Sequence, residues 1–166
     1  MQKFEHELNE AAAAGRLEQV KSLLEQGMWV DSRDQYDETP LMRASWEGQR
    51  EVVRWLIARG AEVDASTTYG KTALHRAARQ GHVEIVADLV EVGADLDATN
   101  EEGERPLHWA ARFGHLDVAK ILIIAGADAE ARTKRGVSAS DLARRQGFRD
   151  VADWIIHHGT SNSPKE

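Results

Sequence analysis

The residues with the most chemical potential are histidines and arginines set in apolar helical pattern. The stretch KTALHRAARQGHVEIV (71–86) carries His75, Arg76, Arg79 and His82, and His108, Arg112 and His115 repeat the arrangement further on. Imidazoles in such a setting are candidates for metal ligation, general acid–base work or structural hydrogen bonding. Nucleophilic chemistry has less to stand on. There is no cysteine, hence no thiolate nucleophile, no thiolate metal site and no disulfide framework. Serines and aspartates are plentiful, but none lies in a nucleophile elbow or in a paired-carboxylate context. No catalytic residue, cofactor or metal is therefore expected. The adjacent pair His157–His158 is at most an adventitious metal site near the C-terminal end.

The elements that position these side chains follow from a repeat. Glycines recur at Gly15, Gly48, Gly81, Gly114 and Gly147, and again at Gly27, Gly60, Gly93 and Gly126, each step being 33 residues. Leu8, Leu41, Leu74 and Leu107 keep the same step, as do Ala11, Ala44, Ala77, Ala110 and Ala143. A period held over the whole chain leaves no room for a second domain, and it accounts for the glycines without a phosphate-binding loop. Within one unit, Ala73, Leu74, Ala77 and Ala78 make a short helical face capped by Thr72 and stopped at Gly81. Val83, Val86, Leu89 and Val90 face a second helix that starts near His82 and ends at Gly93. VGADLDATNEEG follows as a long turn. One such pair cannot bury its own apolar faces, whereas a stack of pairs does so. Equivalent residues in adjacent helices lie roughly 8–10 Å apart. A metal needs its ligands at about 2 Å, so His75 and His108 cannot share an ion.

The segments DETPLMRASWEGQREVVRWLIARGAEVDA (37–65), GKTALHRAARQGHVEIVADLVEVGADLDA (70–98) and GERPLHWAARFGHLDVAKILIIAGADAEA (103–131) resemble the ankyrin repeat. The T-P-L-H-x-A core of that family is matched by TPLMRA, TALHRA and RPLHWA, and its G-A-D tail by GAE, GAD and GAD. The resemblance covers nearly all of 4–158. It implies an all-α fold, an ankyrin-repeat solenoid of stacked helix-turn-helix units with long hairpin-like turns. The expected organisation is one domain over 1–166: an N-terminal capping repeat at 4–31, internal repeats at 37–66, 70–99 and 103–132, a C-terminal capping repeat at 136–158 and a tail at 159–166. Glu7, Asn9 and Glu10 are read as polar groups suited to an end unit, as are Ser140, Asp141 and Arg144 at the other end. The resemblance also makes His75 a structural partner of Thr72. It leaves the network of His108 open, because Arg105 occupies the threonine's place, and it puts His82 and His115 at the turn into the second helix.

If the repeated positions build the scaffold, function falls to those that vary. By the resemblance, the concave surface is formed by the turn tips and the exposed face of the first helices. The expected partner-binding residues are Tyr36, Arg43, Trp46, Tyr69, Arg76, Arg79, Trp109, Arg112 and Phe113, residue types enriched in binding hot spots. Arg145 extends the arginine row, and Glu101, Glu102 and Glu104 form an acidic tip. Trp55 and Trp154 are assigned to outer packing, and Trp29 to shielding of the N-terminal edge. The alternative to a binding face is a solvated one, with arginines paired to carboxylates of neighbouring turns and Trp109 packed among them.

The expected function is thus a non-catalytic protein–protein interaction module, acting as adaptor, inhibitor or complex subunit. Its expected partner is another protein with an acidic and apolar surface or segment. A polyanion or nucleic-acid binder using the arginine row is the alternative, disfavoured by a formal net charge of −7. An engineered binding scaffold is a third reading, disfavoured because the repeats differ at framework positions such as Met42, Arg105 and Ala129. The charged N-terminal stretch MQKFEHELNE lacks the apolar run of a signal peptide and no segment is long and apolar enough to span a bilayer. The expected setting is intracellular, cytoplasmic or nuclear, with the chain a monomer on its own and no membrane partner.

Overall fold

The computed structural model describes residues 2–159, with side chains from His6 onward. The expected tail, 159–166, falls outside the described residues except for Gly159. The described chain is a succession of helix pairs: α1 (Gln2–Ala13) with α2 (Leu17–Glu25), α3 (Pro40–Glu47) with α4 (Arg50–Ala58), α5 (Ala73–Gln80) with α6 (Val83–Glu91), α7 (Pro106–Arg112) with α8 (Leu116–Ile124), and α9 (Ala139–Gln146) with α10 (Arg149–Gly159). The odd-numbered helices pack in one row, α1 on α3 through to α7 on α9, and the even-numbered helices form a second row behind them. The expected all-α solenoid is therefore the observed fold. Among the described residues, extended pairing is confined to one isolated bridge, Arg132 to Ser138.

The inner row is short because capping fixes both ends. Thr39, Thr72 and Ser138 cap α3, α5 and α9 with their hydroxyls. Gly48, Gly81 and Gly147 end the same helices in the left-handed conformation. Small side chains let neighbouring helices approach: Ala44, Ala77, Ala110 and Ala143 have no exposed surface, and Leu8, Leu41, Leu74 and Leu107 fill the layer beside them. The second row supplies the larger apolar volume, with Val53, Leu56, Val86, Leu89, Ala119, Leu122 and Val151 in one continuous core.

A ladder of side chains at one register ties each pair to the one before. Gln49 Nε2 donates to the Ala13 carbonyl at 3.0 Å, His82 Nε2 to that of Trp46 at 3.0 Å, and His115 Nε2 to that of Arg79 at 2.9 Å. Each side chain lies against the helix-ending glycine of the preceding pair. A Cβ on Gly81 would stand 2.5 Å from His115 Nδ1, and one on Gly48 2.7 Å from His82 Cε1. These positions need glycine twice over, for a positive φ and for contact. His82 and His115 are thus staples between repeats.

Candidate functional site

The turn tips are built by one device used four times. Asp34, Thr67, Asn100 and Thr133 each hold the loop that follows with backbone and side chain. Asp34 Oδ1 accepts from the N–H groups of Tyr36 at 2.8 Å and Glu38 at 3.1 Å. Asn100 Oδ1 accepts from Glu102 and Glu104 N–H at 2.9 Å each. Thr67 Oγ1 accepts from Lys71 N–H at 3.2 Å and Thr133 Oγ1 from Val137 N–H at 3.3 Å. In three of these loops the sharp corner is a glycine, Gly70, Gly103 or Gly136; in the first it is Asp37, at φ 60°. Asp37 offsets that conformation with its carboxylate, which accepts from Thr68 Oγ1 at 2.7 Å and pairs with Arg33 at 3.0 Å. The Thr68 hydrogen bond, aided by Arg33, holds this carboxyl below its ordinary range.

Tyr36 and Tyr69 project from adjacent tips at 63% and 56% exposure. Below them lies a cleft of about 740 Å³ lined by both tyrosines together with Glu38, Arg43, Trp46, Lys71 and Arg76. Phe113 is also exposed, at 41%. Tyr36, Arg43, Trp46, Tyr69 and Arg76 from the expected set are therefore brought together in one concavity.

Trp109 departs from the surface role expected of it. It is 5% exposed. Its Nε1 donates to Glu104 Oε2 at 2.8 Å, and its ring meets His75 edge to face with centroids 5.7 Å apart. It belongs to the wall under the groove. Glu104, placed at an acidic tip by sequence, is likewise buried; it accepts from Asn100 Nδ2 at 3.1 Å and pairs with Arg112. Glu38 is buried at the matching register and pairs with both Arg43 and Arg76. Burial then holds the Arg76 guanidinium below its usual range, with Arg79 adding a like-charge effect. The arginine row is therefore not an open cationic strip, because Arg43, Arg76 and Arg112 are neutralised from within the fold. Arg79 is held differently, 5.0 Å from the Trp46 ring centroid, 5.3 Å from Trp109 and 5.1 Å from Phe113.

The histidines are structural throughout the core. His75 Nδ1 accepts from Thr72 N–H at 3.3 Å, and Nε2 lies 3.0 Å from the Glu104 carbonyl. A backbone N–H can only donate, so Nδ1 is the acceptor and Nε2 carries the proton. Burial lowers the His75 pKa from 6.5 to about 4. His108 completes an equivalent network without a threonine. Nδ1 accepts from Arg105 N–H at 3.1 Å, and Nε2 donates to the Ala131 carbonyl at 3.1 Å. The cap needs only the backbone N–H of the residue three positions earlier, so the threonine's replacement by Arg105 does not break the network. Arg105 instead reaches Asp97 at 3.0 Å and Asp128 at 2.9 Å. By sequence Asn9 is a polar residue suited to an end unit. It is buried, and its Nδ2 donates to the Glu38 carbonyl at 2.7 Å, the same register as the His75 bond to Glu104.

Of the tryptophans outside the groove, Trp55 packs on the core under the Arg59 guanidinium at 4.8 Å, and Trp154 stacks on His158 at 4.1 Å. Trp29 is 67% exposed, so it does not shield the N-terminal edge. The Nδ1 atoms of His157 and His158 lie 2.6 and 2.9 Å from the carbonyls of Asp153 and Trp154. Among the described residues, no three His, Asp or Glu side chains converge on one metal position. Nor is any described helix long and apolar enough to cross a membrane.

Paired helices, a capped inner row and projecting turns define a helical repeat protein. Residues 8–67, 60–133 and 99–165 each match the family of ankyrin repeats (3 copies), and the chain belongs to that family. Ankyrin repeats are in general protein–protein interaction modules and typically non-catalytic. No curated protein matches the chain.

Proposed function

We propose that this protein is a non-catalytic interaction module that binds a partner protein through its concave face. The observation that carries this reading is the pair of half-exposed tyrosines, Tyr36 and Tyr69, over a cleft of about 740 Å³ floored by Trp46. Two rigid aromatic side chains on loops fixed by their own hydrogen bonds lose little entropy on binding. Such anchors beside a pocket are what hot spots are made of. The groove is framed by ion pairs satisfied internally, which favours a partner with apolar side chains and limited negative charge over a polyanion. The binding residues are Tyr36, Trp46, Tyr69, Arg79 and Phe113, with Arg43, Arg76, Trp109 and Arg112 holding the walls. On this reading the five units form one domain, and the protein acts as an adaptor, an inhibitor or a subunit of a complex inside the cell.

The test is capture of binding proteins from the source cell's lysate by the wild type and by a Tyr36→Ser/Tyr69→Ser/Phe113→Ser variant. These side chains are exposed, so circular dichroism is expected to show an unchanged fold. A partner held by the wild type and lost by the variant supports the groove. A partner held equally by both places the binding face elsewhere and ends this reading.

A further inference from the structure

The groove's charges follow a register with two departures in it, one in the central repeat and one in the last. The residue that closes each turn, just before the first helix, is Glu38, Lys71, Glu104 and Val137 in successive repeats. Glu38 pairs with Arg43 and Arg76, Asp34 also faces Arg43, and Glu104 pairs with Arg112. The central repeat has a lysine where its neighbours have glutamates. Arg79 is the register equivalent of Arg112, so the carboxylate that would meet it is replaced by Lys71. Among the described residues, neither Lys71 nor Arg79 has a carboxylate within ion-pair distance. Both instead sit on aromatic rings: Lys71 Nζ is 5.6 Å from the Tyr69 centroid and 5.9 Å from that of Trp109, and Arg79 is 5.3 Å from Trp109. An aromatic face holds a cation in place without cancelling its charge. Arg135 and Arg145, further along the groove, also lack an ion pair among the described residues, but no ring holds them.

We propose that Lys71 and Arg79, gathered around the Trp109 ring, are the anion-reading element of the groove, and that they take the carboxylate of an acidic side chain in an extended partner segment whose apolar neighbours lie against Tyr36 and Tyr69. This rests on the groove reading above and adds to it where the partner must be charged and where it must not. Negative charge opposite Glu38 or Glu104 meets a carboxylate already paired. Negative charge opposite the central repeat meets two cations with no partner, where a charge-assisted contact can form. A polyacidic segment is not favoured, because like charges then fall on both flanks.

The experiment is selection from a random-peptide phage library on the immobilised full chain, repeated on Lys71→Gln, Arg79→Gln and Tyr36→Ser/Tyr69→Ser variants whose folding is checked by thermal melts. The expected result is a motif with Asp or Glu at one fixed position beside aromatic or aliphatic residues. On the two glutamine variants the acidic preference is weakened and the apolar positions persist. A synthetic peptide of that motif binds each glutamine variant about tenfold or more weakly, and its Glu→Gln version loses less on them than on the wild type, closing a double-mutant cycle. A motif without a fixed acid, or an acid preference unchanged in both glutamine variants, overturns the proposal and leaves the groove reading standing. So does a phosphoserine peptide that binds where its glutamate counterpart does not. Peptides that bind the tyrosine variant as well as the wild type overturn the groove reading as well. If no peptide is enriched, an extended segment is not the occupant, and the capture experiment alone then decides the groove reading.

Discussion

Buried neutral His75 makes the stability of the stack fall as the pH drops below the ordinary histidine range. The side chain has no exposed surface, and its neutral form satisfies both nitrogens. Protonation would turn Nδ1 into a donor facing the Thr72 N–H and leave a charge in the core. The folded pKa is lowered to about 4 while the unfolded value stays at 6.5. Between these values the unfolded chain binds the proton and the folded chain does not, so stability rises with pH across that window. Above pH 6.5 nothing is lost. At pH 5 the loss is about 2 kcal/mol, and it approaches about 3 kcal/mol at pH 4 and below. The control is His75→Asn. In the last repeat Asp141 stands in the histidine's place, and its Oδ2 accepts from Ser138 N–H at 3.1 Å, so a short side chain with an acceptor completes this cap. An asparagine amide at this register also reaches the next turn's carbonyl, as Asn9 does at Glu38, and the variant has no imidazole to titrate. Urea unfolding from pH 7.5 to 4.5 is expected to give a wild-type curve steeper than that of the variant by about the stated amounts. His108, also lowered by burial, is common to both and cancels in the difference. Parallel curves between pH 7 and 5 would show that His75 does not remain neutral on folding, and the argument from burial would fail.

Two further outcomes follow from packing and backbone geometry. Leu74→Ala removes a side chain that is 1% exposed at the centre of the stack, and chemical denaturation is expected to show a loss of about 2–5 kcal/mol. Arg79→Ala, whose guanidinium rests on three rings but forms no ion pair, is expected to lose about 1 kcal/mol or less; a loss as large as that of Leu74 would make it part of the scaffold. Gly93→Ala should cost only the left-handed backbone conformation, about 1–2 kcal/mol, because its Cβ enters open space. Gly81→Ala should cost more, since its Cβ displaces His115 from the Arg79 carbonyl. Equal melting temperatures for the two alanine variants would mean that the His115 staple adds nothing.

The fold was readable because every framework position is stated several times over. A glycine that must be left-handed, an alanine that must be small and a leucine that fills a layer recur at one spacing, and each copy confirms the others. The histidine network was legible in part. The Thr72–His75 pair is local, whereas the bonds from His75 to Glu104 and from Asn9 to Glu38 span 29 residues and depend on how one repeat docks on the next. Trp109 and Glu104 were misplaced for a related reason. Both lie at positions that normally face the groove, and each alone belongs at a surface. Together they bury one another, because an indole N–H and a guanidinium supply the donors that a carboxylate needs when it leaves water.

The same logic shows why groove function cannot be read from residue types alone. Arg43, Arg76, Arg79 and Arg112 are alike in composition, and a tally of them suggests a basic face. What separates them is the residue that ends each turn. Glu38 and Glu104 convert their arginines into wall, whereas Lys71 leaves Arg79 with its charge uncancelled among Trp46, Trp109 and Phe113. In a protein whose formal net charge is −7, that local excess lies where a repeated carboxylate has been replaced. Recognition in such a stack is therefore set by departures from the repeat. Reinstating the repeat with Lys71→Glu should close the seat by giving Arg79 the partner that Arg112 already has.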